Sequence, residues 1–180
     1  MRFIETPLQG AYLLELEERR DERGFFARAF CEREMAAQGL QAKFVQSNIA
    51  HNTAAGTVRG MHWRDREFPE AKIVRCIAGS IWDVIIDLNE GSPTYLQSFG
   101  VELSDRNRLS LYVPPMFAHG FQTLQASSDV LYLMSEFYDP QFDRGLRWDD
   151  PLISIAWPLR EMTIHERDRT YPDFHSNAKR

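Results

Sequence analysis

The sequence lacks the features that mark disulfide-stapled, zinc-ribbon or membrane-spanning proteins. Its 180 residues include two cysteines, Cys31 and Cys76, which lie in different segments and form no CxxC pair. Neither a disulfide framework nor a zinc ribbon is therefore expected. The first twenty residues have too short an apolar run for a signal peptide or a membrane span. We expect a cytoplasmic protein with no membrane partner.

An excess of basic residues is also absent. The formal net charge of −5 gives no overall field that would attract nucleic acid, so no nucleic-acid partner is expected, although a local basic pocket remains compatible with it. The chain has 43% hydrophobic residues and no low-complexity tract, linker or repeat, which suits one compact core. We predict a single domain over residues 1–180, with a peripheral C-terminal tail from about residue 170.

Helical patterns are scarce. One short helix is expected over residues 31–38, ending at Gly39 as a C-terminal cap. The rest of the chain consists of short alternating segments, including residues 25–30, separated by turn signals. Short strands at such regular spacing predict an all-β fold, a sandwich or barrel with one or two short helices.

Several predicted strands present polar and aromatic side chains on one face. Side chains two positions apart on a strand share a face. The shared faces are Gln46 with Asn48 and Asn52, Lys72 with Val74 and Cys76, and Tyr132 with Met134, Glu136 and Tyr138. A plain core would not need these groups, so the pattern favours a barrel with a wet interior of ligand size.

His62 has three interpretations on the residues alone. Metal-binding cupin barrels usually carry H-x-H and a nearby glutamate, but Arg64 stands where the second histidine would be. A metal site would have to be completed by His119 with Glu67 or Glu70, a set without convincing spacing, so no metal is expected. His62 could also be a structural histidine. Its grouping with lysine, arginine, tyrosine and amide side chains on barrel faces favours a functional site.

Ten separated segments then match one family in order and approximate spacing. They are DERGFF, VQSN, VRGMH, the run over residues 71–95, VELSDRN, YVPPMFAHGF, VLYLMSEFY, RGLRWDDP, AWP and HERDRTYPDF. On these segments the chain resembles the dTDP-4-dehydrorhamnose 3,5-epimerases across residues 3–174.

The resemblance implies a cupin-type jelly roll that needs no metal and no other cofactor. It implies a substrate in which a nucleotide diphosphate is linked to a 4-keto-6-deoxysugar, with inversion of carbon 5, carbon 3 or both in deoxysugar biosynthesis. It also implies a homodimer in which an N-terminal strand crosses to the partner. The nucleotide, dTDP, CDP or GDP, and the exact sugar stay open.

The same resemblance assigns four catalytic roles. His62 matches the general base and Asp168 the carboxylate that orients it. Lys72 matches the cation beside the C4 oxygen, where it stabilises an enolate. Tyr132 matches the acid that returns a proton from the opposite face. A base on one face and an acid on the other are what inversion requires.

Ten further positions match substrate-binding residues of the family. Two arginines and a histidine suit the diphosphate and sugar, two amides form the Q-x-N pair, and two aromatic residues are candidates for stacking. Another two keep the charge of the family's glutamate and lysine. The last has an arginine in place of a nucleotide-binding glutamate. The residues for the diphosphate and sugar are Arg23, Arg59 and His119, and the Q-x-N pair is Gln46 and Asn48. The aromatic residues are Phe26 and Tyr138, the two that keep the charge are Asp143 and Arg167, and the arginine in place of glutamate is Arg28.

Two other departures from the family pattern lie near His62. Trp63 and Arg64 replace the tyrosine and glutamine of LHYQ, and Glu70 and Ala71 precede Lys72 where the family usually has glutamine. The catalytic four are unchanged, which favours the epimerase over two alternatives. These are a non-catalytic cupin that binds sugar nucleotides and a metal-dependent cupin enzyme.

Overall fold

The computed structural model of the protein describes residues 1–174. Its elements in chain order are β1 (Arg2–Glu5), β2 (Tyr12–Glu15), β3 (Arg19–Asp21), β4 (Gly24–Phe26), α1 (Glu32–Ala37), β5 (Gln46–Asn52), β6 (Thr57–Arg64), β7 (Lys72–Ala78), β8 (Ser80–Asp87), β9 (Ser98–Ser104), β10 (Ser110–Val113), β11 (Phe117–Thr123), β12 (Ser128–Met134), a 3₁₀ turn (Pro140–Phe142), β13 (Asp143–Gly145), β14 (Thr163–Ile164) and α2 (Glu166–Arg169).

The strands form two large sheets and one small hairpin. The first sheet has the order β1-β2-β10-β7-β12-β5, and the second has the order β13-β6-β11-β8-β9, with β14 added beside β6. All pairs are antiparallel except β14 with β6. Strands β3 and β4 pair only with each other. The predicted all-β sandwich with short helices is confirmed.

Strand periodicity explains how the second sheet is buried on both faces. Along β8, Ile81 and Ile85 point into the cluster between the two sheets, while Val84 and Ile86 point to the opposite face. That outer face is covered by residues after β13, among them Leu146. Because both faces are covered, β8 and β11 lie at the centre of the molecule and form a rigid base for side chains at their ends.

The outer face of the first sheet is covered by α1. Met35 of α1 is fully buried against Ile73 and Tyr112. The helix ends where predicted, because Gly39 has a φ of +70°, which glycine adopts without a Cβ clash. The strand predicted over residues 25–30 is shorter than expected, since β4 ends at Phe26 and residues 27–30 are irregular.

The predicted peripheral tail from about residue 170 is attached to the rest of the molecule in its described part. Tyr171 packs edge-on to His62, with ring centroids 6.2 Å apart. The backbone N–H of Phe174 donates to Asp150 at 2.7 Å, and its ring contacts Trp63. Because the surrounding residues are polar, the sequence did not indicate that these two aromatic residues anchor the segment. The remainder of the predicted tail, residues 175–180, lies outside the described residues.

No helix within residues 1–174 is both long enough and apolar enough to cross a membrane.

Candidate active site

A cavity of about 580 Å³ opens between the two sheets. Strands β5, β7 and β12 of the first sheet form one wall, and β6 and β11 of the second sheet form the other. Residues 163–168 close part of its rim. The volume suits a ligand of metabolite size. The ligand-sized interior expected from strand periodicity is therefore present. It lies where the strand faces that carry polar and aromatic side chains meet.

His62 and Asp168 form a hydrogen-bonded pair in this cavity. The imidazole Nε2 lies 2.8 Å from Asp168 Oδ1, and the backbone N–H of Gly60 donates to Oδ2 at 3.3 Å. Burial alone would raise the pKa of Asp168, but the hydrogen bonds from His62 and Gly60, aided by Arg167, outweigh it and lower the pKa. A charged carboxylate accepts from Nε2–H, so Nδ1 is the imidazole nitrogen that can take up a proton.

Local structure at the end of the chain brings Asp168 to His62. Strand β14 pairs in parallel with the start of β6, which places α2 beside His62. His165 caps α2, since its Nδ1 accepts from the backbone N–H of Arg167 at 3.2 Å. Asp168 is the buried residue of this four-residue helix. His62 and Asp168, which are 106 residues apart in the sequence, thereby form a direct hydrogen bond.

Gly60 is required by the crossing of β6 and β11. Its φ is +117°, and a Cβ there would lie 2.6 Å from the Cα of Gly120 and 2.8 Å from the carbonyl oxygen of His119. Backbone atoms cannot move aside as a side chain can.

We expect Gly60→Ala to lower the free energy of unfolding by about 3 kcal/mol, measured by urea denaturation. Gly91→Ala is the matched control, because a Cβ there meets Asn89 Oδ1 at an ordinary 3.7 Å. Equal losses from the two variants would contradict this assignment.

Lys72 enters the cavity from the opposite wall. It begins β7, and its side chain is 12% exposed. Its Nζ lies 3.5 Å from Oε1 of Glu70. A cation with so little water around it exerts a stronger field on a nearby oxyanion than a solvated one would.

Tyr132 also comes from the first sheet. It lies on β12, between β5 and β7, opposite Asn48 and Val74 in register. Burial raises the pKa of its phenol, an effect that Arg59 partly offsets. The phenol therefore keeps its proton at neutral pH and stands across the cavity from the His62 wall. One sheet thus supplies the imidazole and the other supplies the ammonium and the phenol.

His119 forms a second histidine–aspartate pair deeper in the sandwich. Its Nε2 lies 2.8 Å from Oδ1 of Asp83, which is fully buried. Burial raises the pKa of Asp83, and the neighbouring His119 and Lys72 offset part of that effect. This fixes the imidazole of His119 at the cavity wall with its plane set by the carboxyl group.

Hydrogen bonds hold several other predicted site residues of the cavity wall in place. Arg59 Nε donates to Asn52 Oδ1 at 2.8 Å, and Gln46 Nε2 donates to Asn48 Oδ1 at 3.2 Å. The backbone N–H of Tyr138 donates to Gln46 Oε1 at 3.1 Å. These bonds hold the polar atoms in place before any ligand enters.

Asp143 and Arg167 meet at the mouth of the cavity. Arg167 Nη2 lies 3.9 Å from Asp143 Oδ2, and Arg167 Nε donates to the Tyr171 hydroxyl at 2.7 Å. The structure thus brings eleven of the fourteen predicted site residues to one cavity: His62, Lys72, Tyr132, Asp168, Gln46, Asn48, Arg59, His119, Tyr138, Asp143 and Arg167.

The other three, Arg23, Phe26 and Arg28, lie outside this cavity. Arg23 donates to Asp21 within the β3–β4 hairpin, and the side chain of Phe26 is 73% exposed. Arg28 donates to Oε1 of Glu34 on α1 at 2.6 Å. Arg23 and Phe26 belong to the separate β3–β4 hairpin and Arg28 follows it, and none of the three lines the cavity that contains their own chain's His62.

Several cavity residues escaped the sequence reasoning. Thr163, Ile164 and His165 line the rim but belong to a segment that carried no strand pattern. Arg64 and Glu70 were not among the predicted site residues, and both are buried in the wall. Within residues 1–174, no three histidine, cysteine, aspartate or glutamate side chains cluster so as to hold a metal ion.

Comparison with known proteins gives one consistent result. The profile of the dTDP-4-dehydrorhamnose 3,5-epimerases matches residues 5–176. The dTDP-4-dehydrorhamnose 3,5-epimerase of Methanothermobacter thermautotrophicus is 43% identical over 179 residues, which cover 98% of this chain and 96% of that protein.

Two solved structures extend the likeness to the fold. The dTDP-4-dehydrorhamnose 3,5-epimerase of Bacillus anthracis, solved with TDP and PPi bound, has a TM-score of 0.92 and 36% identity over 96% of this chain and 99% of its own. The dTDP-6-deoxy-D-glucose-3,5-epimerase of Legionella pneumophila, in complex with dTDP-4-keto-L-rhamnose, has a TM-score of 0.85 and 33% identity, covering 93% of this chain and 89% of its own. The predicted cupin-type jelly roll is confirmed.

Proposed function

Because the chain belongs to the dTDP-4-dehydrorhamnose 3,5-epimerase family, it is a nucleotide-sugar epimerase, and we propose that His62, Asp168, Lys72 and Tyr132 carry its reaction. The substrate is a 4-keto-6-deoxysugar on a nucleotide diphosphate, and the product is inverted at carbon 5, carbon 3 or both. The observation that supports this assignment best is the division of the four groups between facing walls of one cavity.

His62 is the base. A C–H bond next to the C4 ketone is only modestly acidic, so the base must be positioned and the developing charge stabilised. Nδ1 of His62 takes the proton, and the electron pair of the C–H bond moves into the enolate. Asp168, held charged by its hydrogen bonds, stabilises the imidazolium that forms.

Lys72 and Tyr132 complete the inversion from the opposite wall. The ammonium of Lys72 lies beside the C4 oxygen and favours enolate over ketone. Tyr132 then donates its phenolic proton to the face of the carbon away from His62, and the enolate returns to the ketone. Solvent reprotonates the phenolate, and the imidazolium loses its proton, so the enzyme ends the cycle unchanged.

The substrate we propose carries thymidine diphosphate. The Bacillus anthracis relative was solved with TDP and PPi, and the Legionella pneumophila relative with dTDP-4-keto-L-rhamnose. Arg59 and His119 lie at fixed positions in the cavity wall and suit the diphosphate or the sugar. Gln46, Asn48 and Tyr138 supply neutral contacts on the wall of the first sheet.

We propose that the enzyme works in the cytoplasm as a homodimer, with the whole chain as one domain. Cys31 and Cys76 are free thiols, as suits a reducing compartment. In the dimer, the β3–β4 hairpin of each chain reaches the partner, which brings Arg23 and Phe26 to the partner's cavity. Their exposure and distance from their own chain's cavity support this arrangement.

Mixed dimers provide the test of this exchange. We expect Arg23→Ala and His62→Ala homodimers to be impaired separately, whereas co-refolded mixtures regain activity. In a mixed dimer one cavity receives an intact His62 from its own chain and an intact Arg23 from the other. Recovery near one-quarter of the wild-type rate is expected, because half of the dimers are mixed and each has one complete site. If Arg23 acted within its own chain, the mixture would gain nothing.

The proposed reaction is tested by proton exchange in heavy water. Purified protein is mixed with dTDP-, CDP- or GDP-linked 4-keto-6-deoxyglucose, and the sugar protons are followed by NMR. Loss of the carbon 5 and carbon 3 signals with the dTDP sugar would support the reaction, the positions and the nucleotide together. Binding without exchange of any sugar proton would contradict the proposal and leave a non-catalytic sugar-nucleotide binder.

A further inference from the structure

Glu70 is a buried acid in the cavity wall that the steps above do not use. The residue is 5% exposed. Its Oε1 lies 3.5 Å from Lys72 Nζ, and its Oε2 is buried without a hydrogen-bond partner among residues 1–174. Buried carboxyl groups are normally fully hydrogen-bonded, so a half-satisfied one beside a catalytic cation calls for a role.

The surroundings of Glu70 are rigid. The backbone N–H of Ala71 donates to Ser135 Oγ at 2.8 Å, and the backbone N–H of Ser135 returns a bond to Ala71 O at 3.0 Å. These bonds tie the segment before β7 to the end of β12. Glu70 and Lys72 are therefore held at fixed positions relative to Tyr132, which lies on the same strand as Met134, the register partner of Lys72.

Charged groups on three elements and a phenol on a fourth face this carboxyl. Lys72 lies on β7, Arg64 on β6 and Asp143 on β13, while the phenol of Tyr132 approaches from β12. Burial raises the pKa of Glu70, and Lys72 and then Arg64 offset part of that rise. Arg64 is itself buried and donates to the carbonyl of Phe137 at 3.0 Å. The net effect is a Glu70 pKa above its ordinary value, so this carboxyl stays protonated to a higher pH than a solvated glutamate does.

We propose that Glu70 is a proton-linked positioning residue for Lys72: its carboxyl oxygen fixes the ammonium in the cavity wall, and its ionisation weakens the field that the ammonium exerts on the enolate. This inference rests on the proposed function, because the role of Lys72 does. When Glu70 is neutral, its oxygen still accepts from Lys72 and the full cationic charge acts on the C4 oxygen. When Glu70 is ionised, a negative charge 3.5 Å from Nζ cancels part of that field.

The direction of the pH effect on the exchange rate follows from these two states. As the pH rises through the titration of Glu70, the wild type gains a negative charge and loses enolate stabilisation. Glu70→Gln keeps the oxygen acceptor but never acquires the charge. Dividing the exchange rate of Glu70→Gln by that of the wild type cancels the pH dependence of every step that both proteins share. We expect this ratio to rise roughly tenfold from pH 5 to pH 9.

Two further variants separate positioning from charge. Glu70→Ala removes both the acceptor and the charge, so its exchange rate should fall below that of Glu70→Gln at every pH. Equal rates for Glu70→Ala and Glu70→Gln would overturn the positioning role. A Glu70→Gln ratio that stays flat or falls with pH would overturn the charge role.

A measurement without substrate keeps this inference separate from the proposed function. The chain has only three lysines, Lys43, Lys72 and Lys179, so ¹³C-labelled lysine gives a spectrum simple enough to assign with Lys72→Arg. We expect the Cε signal of Lys72 to shift with a carboxyl titration in the wild type and not in Glu70→Gln, with Lys43 as the internal reference. An identical pH dependence of the Lys72 Cε signal in the wild type and Glu70→Gln would overturn the inference. If the wild type failed to exchange sugar protons while Lys72 still followed Glu70, only the proposed function would fall.

Discussion

Replacing His62 with alanine is expected to reduce solvent exchange at the substrate's alpha carbons at least a thousandfold. The imidazole lies on the wall opposite Lys72 and Tyr132, and its hydrogen bond to the buried carboxylate of Asp168 stabilises the imidazolium that forms when it takes up a proton. A positioned general base contributes about 10²- to 10⁴-fold, and loss of His62 also removes the use of Asp168. Exchange is measured by NMR in heavy water with the dTDP-linked 4-keto-6-deoxyglucose.

His51→Ala is the matched control for this variant. His51 also pairs with a carboxylate, since its Nδ1 lies 2.6 Å from Asp129 Oδ1, but the pair is on the surface and away from the cavity. We expect exchange in His51→Ala to equal that of the wild type. Near-normal exchange in His62→Ala, with the fold intact by circular dichroism, would contradict the assignment of the base.

Replacing Tyr132 with phenylalanine is expected to separate exchange from inversion. Removing the phenol takes away the acid that we propose for the face opposite His62, so inversion falls about a hundredfold or more. His62 can still remove the alpha proton, exchange it with solvent and return a deuteron to the same face. Deuterium incorporation should therefore fall only a fewfold, and the recovered sugar should carry deuterium with its original configuration.

The control for Tyr132→Phe is Tyr112→Phe. Tyr112 is also a buried tyrosine, but it packs beneath α1, and its hydroxyl accepts from the backbone N–H of Gln41 at 3.2 Å. Any loss common to both variants measures the removal of a buried hydroxyl. Equal falls in exchange and inversion for Tyr132→Phe would mean that the two faces do not divide the proton transfers as proposed.

Strand periodicity predicted much of the cavity because it acts over a few residues. Tyr132 and Met134 share a face with Lys72 of the adjacent strand, and the register of β12 and β7 places them on one wall. Gln46 and Asn48 follow the same rule on β5. The resemblance of ten segments added the family, which the profile match and the relatives confirm.

Other parts of the site depend on contacts that no local pattern encodes. The helix that carries Asp168 has four residues, too few to produce a helical period, and its cap is a histidine rather than the usual serine or aspartate. Glu70 follows Pro69 in a polar run and reads as a loop residue, although the structure buries it. The position of the β3–β4 hairpin, with Arg23, depends on packing outside the sandwich. The contact between Asp168 and His62 joins residues 106 positions apart, a distance over which no local pattern acts.

The delivery of Asp168 from the far end of the sequence has a consequence for newly made protein. Every strand of the two walls up to β12 leaves the ribosome before α2 does, and 36 residues separate Tyr132 from Asp168. At about 5–20 residues per second, translation needs roughly two to seven seconds to cover that interval. During it, His62 lacks the carboxylate that we propose as its partner, and the cavity lacks the part of its rim that residues 163–168 form. Under the proposed mechanism, His62 therefore cannot act as an oriented base until α2 has been made and packed beside β6.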